Sequence, residues 1–242
     1  MGISKENLNK IVENLKDIKD ITKIRKTIGD LKRIKISKEA INKLIEKSYD
    51  LEKVKEIVKE LRNVGVKSKT INKLIENGYD IVKFDKKFKT ITNSDPKLMK
   101  KLAKYINNWD ISRSNPLDDS AESQKLVKVF NAKGVKTKVG ESEPISNFAV
   151  LKEGTTNGFG WKHITRDKRL KEFKNFYSKR GLHFSSDEQL KEQILKDIEN
   201  ALKYGKPKYI NEGKGEYQIL YNDIFVSINK DDSITTAYPK TR

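Results

Sequence analysis

The chain of 242 residues contains no cysteine and only two histidines, His163 and His183. The absence of cysteine excludes disulfide bonds, a thiolate nucleophile and zinc sites built on thiolates. Two histidines also argue against a histidine-rich metal site, so we expect no metal and no small-molecule cofactor. The first residues lack the apolar core of a signal peptide, and no run of about 18 apolar residues is present. The sequence therefore predicts a soluble chain with no membrane insertion.

Acidic residues are the minority among the charged ones. The chain has 52 Lys and Arg against 34 Asp and Glu, a formal net charge of +18. A field of this size attracts polyanions, which makes nucleic acid the first partner to expect. An AT-rich genome would also enrich lysine, but it explains the lysines better than the charge imbalance. Residues 1–110 hold 28 Lys and Arg and 16 Asp and Glu, so most of the excess lies there and charge alone does not locate an active site.

The first third of the chain contains an internal repeat, with copies beginning at Ile3, Ile36 and Val66. Each copy has apolar residues at positions i, i+3 and i+4, which form one face of an amphipathic helix. An aspartate follows in each copy and is expected to cap a second helix. These aspartates are Asp17, Asp50 and Asp80. The repeat predicts stacked helical hairpins over residues 1–112, with a further helix over 96–108.

The second half has a different pattern. Residues 113–120 are polar and broken by a proline, which predicts a linker before a second domain at 121–242. We expect helices around 126–130 and over 167–179, and a third after a capping box of Ser186 and Gln189. Four strands separated by turn residues follow, at 208–211, 216–221, 224–229 and 233–238. The second half is thus predicted to be an α+β domain whose helices precede an antiparallel four-stranded meander.

The segment Gly-Phe-Gly-Trp-Lys-His, ending at His163, carries the strongest local signal of chemistry. Gly158 and Gly160 permit a sharp turn and a close approach of the backbone to a ligand. Trp161 offers a surface on which a base can stack, and Lys162 offers charge for a phosphate. We therefore predict that these four residues bind substrate, while a purely structural turn before a helix is the alternative.

The available side chains fit RNA cleavage better than DNA cleavage. RNA supplies its own nucleophile, the 2′-hydroxyl, so cleavage to a cyclic phosphate needs a proton acceptor and donors around the transition state. His163 can take and return a proton near neutral pH. DNA lacks this hydroxyl, and a deoxyribonuclease more often uses a metal site. The sequence therefore favours a metal-independent reaction on RNA.

Two short segments, Gly-Phe-Gly-x-x-His and Ile-x-Thr-Ala-Tyr-Pro, stand near the start and at the end of the C-terminal half. They consist of Gly158, Phe159, Gly160, His163, Ile234, Thr236, Ala237, Tyr238 and Pro239. In this order, with helices and then strands between them, they resemble the toxin nucleases of the barnase, EndoU, colicin and RelE-like (BECR) superfamily. Such domains form the C-terminal tips of contact-dependent growth inhibition toxins and other polymorphic toxins. The resemblance covers residues 145–242.

The resemblance implies that His163 is the general base or acid and that Thr236 and Tyr238 face it from the last strand. Arg166 would reach the same face if a helix has begun at His163, and would then stabilise transition-state charge; an ordinary solvated arginine is the alternative. His183 would match the second histidine of EndoU enzymes, although packing is the commoner role for a histidine in such a loop.

The family further implies an endoribonuclease toxin that acts on tRNA in the bacterial cytoplasm, including that of a target cell after delivery. A cognate immunity protein would neutralise it. The alternative is a non-catalytic, basic nucleic-acid-binding protein, in which the helical repeats form the scaffold. Those repeats could also deliver the toxin, bind another partner or be merely structural. Both functions predict salt-sensitive RNA binding, and only the first predicts cleavage.

Overall fold

The computed structural model describes residues 18–109, 111, 117, 122–132, 148–211, 216–229 and 231–240. The chain divides into two compact units, Met1–Ser120 and Ala121–Arg242. The first copy of the repeat up to Asp17, and the predicted linker apart from Leu117, lie outside the described residues.

The described part of the N-terminal unit is helical. Its helices are α1 (Ile18–Arg33), α2 (Lys38–Glu46), α3 (Leu51–Asn63), α4 (Ser68–Glu76), α5 (Ile81–Ile91) and α6 (Pro96–Asn107). Helix α1 packs on α3, α2 on α4, and α3 on α5, so equivalent helices of successive hairpins stack. This is the arrangement that the repeat predicts, because each hairpin has one apolar face to bury.

Two of the three aspartates of the repeat, Asp50 and Asp80, cap helices as predicted, and Asp17 lies outside the described residues. The Asp50 carboxylate accepts hydrogen bonds from the first-turn amides of α3, and the Asp80 carboxylate does the same for α5. Asp95 caps α6 in the same way, with a proline in its first turn. The apolar triplets of the second and third copies are buried; they are Ile41, Leu44, Ile45, Ile71, Leu74 and Ile75.

The C-terminal unit combines helices with strands. After a short 3-10 turn its elements are β1 (Leu126–Asn131), β2 (Phe148–Lys152), α7 (Gly160–Ile164), α8 (Asp167–Ser178), α9 (Asp187–Tyr204), β3 (Lys206–Asn211), β4 (Glu216–Tyr221), β5 (Ile224–Ile228) and β6 (Ser233–Pro239). The mixture of helices and sheet confirms the general prediction of an α+β fold.

The sheet corrects the finer prediction. Across the described residues it has six strands in the order β1-β2-β6-β5-β4-β3, with β2 and β6 parallel and the other neighbours antiparallel. The predicted helix around 126–130 is wrong, because these residues form β1 and pair with β2. The four predicted strands are present, but a purely antiparallel four-stranded meander is wrong. The reason is β2, a fully buried strand that joins the edge of β6 and makes the sheet mixed.

Helices α8 and α9 cover one face of this sheet. Their buried residues, including Phe173, Leu190 and Ile194, share a core with Val226 of β5 and Ala237 of β6. The start of α9 has half of the predicted capping box: the Ser186 hydroxyl accepts from the Gln189 amide, while the Gln189 side chain accepts from Ser185. None of the helices in the described ranges is long and apolar enough to cross a membrane.

Candidate active site

The loop between β2 and α7 is fixed by backbone contacts that only glycine permits. Gly160 has φ +79°, and a Cβ there would lie 2.6 Å from the Lys152 carbonyl oxygen. Gly154 has φ +70°, and a Cβ there would lie 1.7 Å from the Phe159 carbonyl oxygen. The Thr155 amide donates to that same oxygen at 2.9 Å. The loop therefore folds back on the end of β2 and fixes the start of α7.

His163 lies half-buried on α7, and a contact to the loop sets its tautomer. Its Nδ1 lies 3.1 Å from the carbonyl oxygen of Thr156. A carbonyl oxygen can only accept, so Nδ1 carries the proton when the ring is neutral. The lone pair of the neutral imidazole is then on Nε2, which can accept a proton from a substrate.

The surroundings of His163 lower the pKa of its imidazole. Burial is the largest cause, and it outweighs the Thr156 carbonyl, which stabilises the protonated ring. The positive charges of Arg166 and Arg169 lower the pKa further. Because an unperturbed histidine titrates near pH 6.5, His163 is mainly neutral at pH 7 and has the protonation state of a general base.

Arg166 and Arg169 form a pair of cations next to this base. Arg166 is the residue before α8 and has extended backbone, so the helix of His163 does not continue to it and the condition for a shared helical face is not met. Arg169 follows one turn later and pairs with Glu172, with the Nη1 and Oε2 atoms 2.5 Å apart. The Nε atoms of both arginines are buried and have no hydrogen-bond partner among the described residues. Each is thus a donor without an acceptor.

Strand β6 supplies hydroxyl groups to the same region. Helices α7 and α8 both contact β6, and the guanidinium of Arg169 lies 5.0 Å from the centre of the Tyr238 ring. Thr236 and Tyr238 are two residues apart in regular pairing with β5, so they share one face of the strand. The Thr236 hydroxyl is buried and, within the described part of the chain, has no partner.

Gln218 of β4 orients the Tyr238 phenol. Its amide nitrogen donates to the Tyr238 oxygen at 2.7 Å and to the Ser227 hydroxyl at 3.2 Å. Since the phenol oxygen accepts this bond, its own hydrogen is available to donate to a ligand. The phenol therefore becomes a positioned donor beside Arg169.

Of the predicted catalytic residues, His163 and Arg166 interact electrostatically, and Thr236 and Tyr238 lie on the strand that α7 and α8 contact. Arg169 and Gln218 were not predicted. Arg169 could have been found as the residue three positions after Arg166 on a helical face.

The predicted substrate-binding residues lie next to His163 but have structural contacts as well. Trp161 packs partly against the hydrophobic core, which covers part of its surface. Lys162 is half-buried, and its amide donates to the Glu153 carbonyl. Gly160 is explained by the backbone contacts of the loop, and a Cβ on Gly158 would lie 2.4 Å from a threonine hydroxyl. Contact of these four residues with substrate stays a prediction.

His183 and His163 lie beyond opposite ends of α8. It is exposed in the turn after α8, whereas His163 precedes the start of α8. The 12 residues of α8 span about 18 Å, at a rise of about 1.5 Å per residue. The two histidines thus flank opposite ends of one helix.

Within the described ranges, no group of three or more His, Asp or Glu side chains is placed to hold a metal ion. The chain matches no protein-family model. No curated protein and no solved structure is significantly similar to it.

Proposed function

We propose that the C-terminal unit is a metal-independent endoribonuclease. The observation that supports this most strongly is that three buried donors, Arg166 Nε, Arg169 Nε and Thr236 Oγ1, have no acceptor among the described residues, and that both arginines act on the His163 imidazole. An unpaired buried donor costs about 1–3 kcal/mol, so each of these groups favours an acceptor, which a bound ligand can supply. A phosphodiester has anionic oxygens that match this need.

The proposed reaction uses the 2′-hydroxyl of RNA as its nucleophile. Nε2 of His163 takes the hydroxyl proton as the 2′-oxygen attacks phosphorus. The bond from phosphorus to the 5′-oxygen breaks, a 2′,3′-cyclic phosphate forms, and the leaving 5′-oxygen takes a proton from water. The two arginines and the Tyr238 phenol stabilise the extra negative charge of the transition state.

The remaining parts of the proposal rest on the resemblance to BECR toxin nucleases. They are that tRNA is the substrate, that the enzyme is a toxin acting in the bacterial cytoplasm, and that a cognate immunity protein neutralises it. An immunity protein that blocks the site would present carboxylates to Arg166 and Arg169, since these would replace the phosphate.

A non-catalytic RNA-binding protein is the second candidate. It is favoured by the net charge of residues 1–110, which carry 28 of the 52 basic residues but 16 of the 34 acidic ones. It does not explain why the donors without acceptors in the C-terminal unit lie beside a base with a lowered pKa.

The test is incubation of the full chain with total RNA and with purified tRNA in excess EDTA. We expect cleavage products that end in a 2′,3′-cyclic phosphate, and no cleavage of the same oligonucleotide with 2′-O-methyl groups. Cleavage that needs an added divalent ion, or that also proceeds on the 2′-O-methyl substrate, contradicts the mechanism. Binding without cleavage supports the second candidate instead.

A further inference from the structure

The N-terminal unit contains an open pocket whose charge is of one sign. The pocket has a volume of about 420 Å³ and lies between the end of α3, the start of α4 and the last turns of α6. Three lysines line it, Lys67, Lys100 and Lys104, together with asparagines and backbone. None of the described residues that line it carries a carboxylate. We call it the lysine pocket.

The three lysines are exposed and are not used in ion pairs within the described part of the chain. Other lysines of the same unit do form ion pairs: Lys59 pairs with Glu56, and Lys89 pairs with Glu60. Ammonium groups around one pocket create a positive potential there, which favours an anionic ligand. The lysine pocket thus has the charge of a site for an anionic ligand.

The repeat shows that the lysines are not needed to join the helices. At the start of the third copy, Asn107 of α6 holds the neighbouring helix. It accepts a hydrogen bond from the Lys67 amide at 2.9 Å and donates one to the Gly65 carbonyl at 2.8 Å. At the start of the second copy Asn72 of α4 makes the equivalent contacts, accepting from the Ser37 amide at 3.1 Å and donating to the Lys35 carbonyl at 3.2 Å. The structural contact is therefore made by asparagine in both copies, whatever residue precedes the helix.

The corresponding place in the second copy has different chemistry. Ser37 stands where the third copy has Lys67, and its hydroxyl donates to the Glu76 carboxylate at 2.5 Å. The hydroxyl and the carboxylate are hydrogen-bonded to each other, so this place is neutral to acidic. The third copy has a lysine pocket instead, so the two equivalent places differ in charge while their backbone contacts agree.

We propose that the lysine pocket binds the phosphate backbone of RNA and that the N-terminal unit is an RNA-binding module. The ligand is a polyanion because the pocket is open and lies in a region of large positive charge, which a chain of phosphates can follow beyond the pocket. Lysine binds phosphate as a point charge without reading base sequence, so the module contributes affinity and not specificity.

The test compares two variants of the 242-residue chain that have equal charge. One is Lys67→Gln, Lys100→Gln and Lys104→Gln; the control is Lys38→Gln, Lys53→Gln and Lys83→Gln, three exposed lysines outside the pocket. The probe is a single-stranded 2′-O-methyl RNA oligonucleotide, which has no 2′-hydroxyl to attack, so binding is measured apart from the proposed ribonuclease activity. Fluorescence anisotropy gives the affinity at a series of salt concentrations.

The slope of log K against log salt is negative, and each single-strand phosphate contact contributes about 0.7 to its magnitude. We expect the pocket variant, which loses three such contacts, to reduce that magnitude by about 2. The same loss of contacts lowers affinity at 0.1 M salt by roughly 100-fold. The control should keep a slope close to that of the unaltered chain. Equal slopes for the two variants would overturn the proposal. Polyglutamate is the second probe and stands for an acidic protein. A pocket variant that loses polyglutamate binding but keeps RNA binding would also overturn the proposal and would assign the pocket to an acidic protein.

Discussion

His163 combines two properties that a general base needs. Its Nδ1 proton is held by the Thr156 carbonyl, which leaves Nε2 as the acceptor, and its pKa is lowered, which keeps the ring neutral at pH 7. Burial contributes most to the lower pKa, and the charges of Arg166 and Arg169 add to it. The same arginines that would bind a phosphate thus also keep the base unprotonated.

Removal of a neighbouring positive charge should raise the pKa of His163. We expect Arg166→Gln to raise it, because the Coulomb repulsion of the imidazolium is relieved. The pKa is measured from the chemical shift of the ring protons in an NMR titration. Lys168→Gln is the matched control, since it removes an exposed charge that does not act on His163. A lower pKa in Arg166→Gln, or equal shifts in both variants, would show that the arginine does not act on the ring.

The lowered pKa also has a consequence for stability. The folded-state pKa of His163 lies below the unfolded value of about 6.5, so the unfolded state binds more protons between the two values. The contribution of His163 to the free energy of unfolding is therefore present above about pH 6.5 and is lost as the pH falls through the folded pKa. Cleavage should decline over the same range, because protonation removes the base.

Two glycines of the C-terminal unit have left-handed backbone but different surroundings. Gly160 and Gly181 both have positive φ, +79° and +76°, but a Cβ on Gly181 would meet no atom within 4 Å. On Gly160 it would meet the Lys152 carbonyl. The two glycines therefore separate backbone strain from steric overlap.

We expect Gly181→Ala to lower the free energy of unfolding by about 1–2 kcal/mol, the cost of a left-handed conformation for alanine. Gly160→Ala should cost about 1–3 kcal/mol more, because the loop must also shift. Hydrogen exchange of the β5 and β6 amides in urea reports the stability of the C-terminal unit. Equal losses in the two variants would mean that the loop is not fixed as described.

Elements with local signals could be predicted from the sequence, and those that depend on distant pairing could not. Asp50 and Asp80 mark helix starts because the capping bond forms within one turn. The run at 126–130 has no such signal: a short apolar run has no clear period, and pairing with β2 makes it a strand. Strand β2 was missed because its parallel partner β6 lies far away in sequence.

The same distinction applies to the candidate site. His163 and Tyr238 stand in short motifs and were predicted, whereas Arg169 and Gln218 are ordinary polar residues of a helix and a strand. Only the packing of α8 against β6, and the pairing of β4 with β5, brings these two to Tyr238. No sequence period contains that information.

At the scale of the whole molecule, the chain combines a basic helical unit with an α+β unit that holds the candidate site. Each unit has its own buried core. We have proposed RNA binding for the first and RNA cleavage for the second. This assignment predicts that RNA binding and RNA cleavage can be separated.

We expect residues 121–242 alone to cleave RNA with a kcat close to that of the full chain and a higher KM. The kcat is retained because His163, Arg166, Arg169 and Tyr238 all lie in this unit, and the KM rises because the lysine pocket is removed. Steady-state cleavage of one tRNA substrate by both proteins gives the two constants. A fragment that folds, judged by circular dichroism, but is inert would show that the first 120 residues contribute to the site.

The most direct test of the account is His163→Ala in the full chain, with RNA cleavage, RNA binding and melting temperature measured on the same protein. We predict that the cleavage rate falls 10²- to 10⁴-fold while binding and melting temperature stay nearly unchanged, because a general base acts on the transition state. His183→Ala, at the other end of α8, should cleave at the original rate. A His163→Ala protein that cleaves at the original rate would contradict the account. A parallel fall in melting temperature, binding and cleavage would show instead that His163 is a structural histidine.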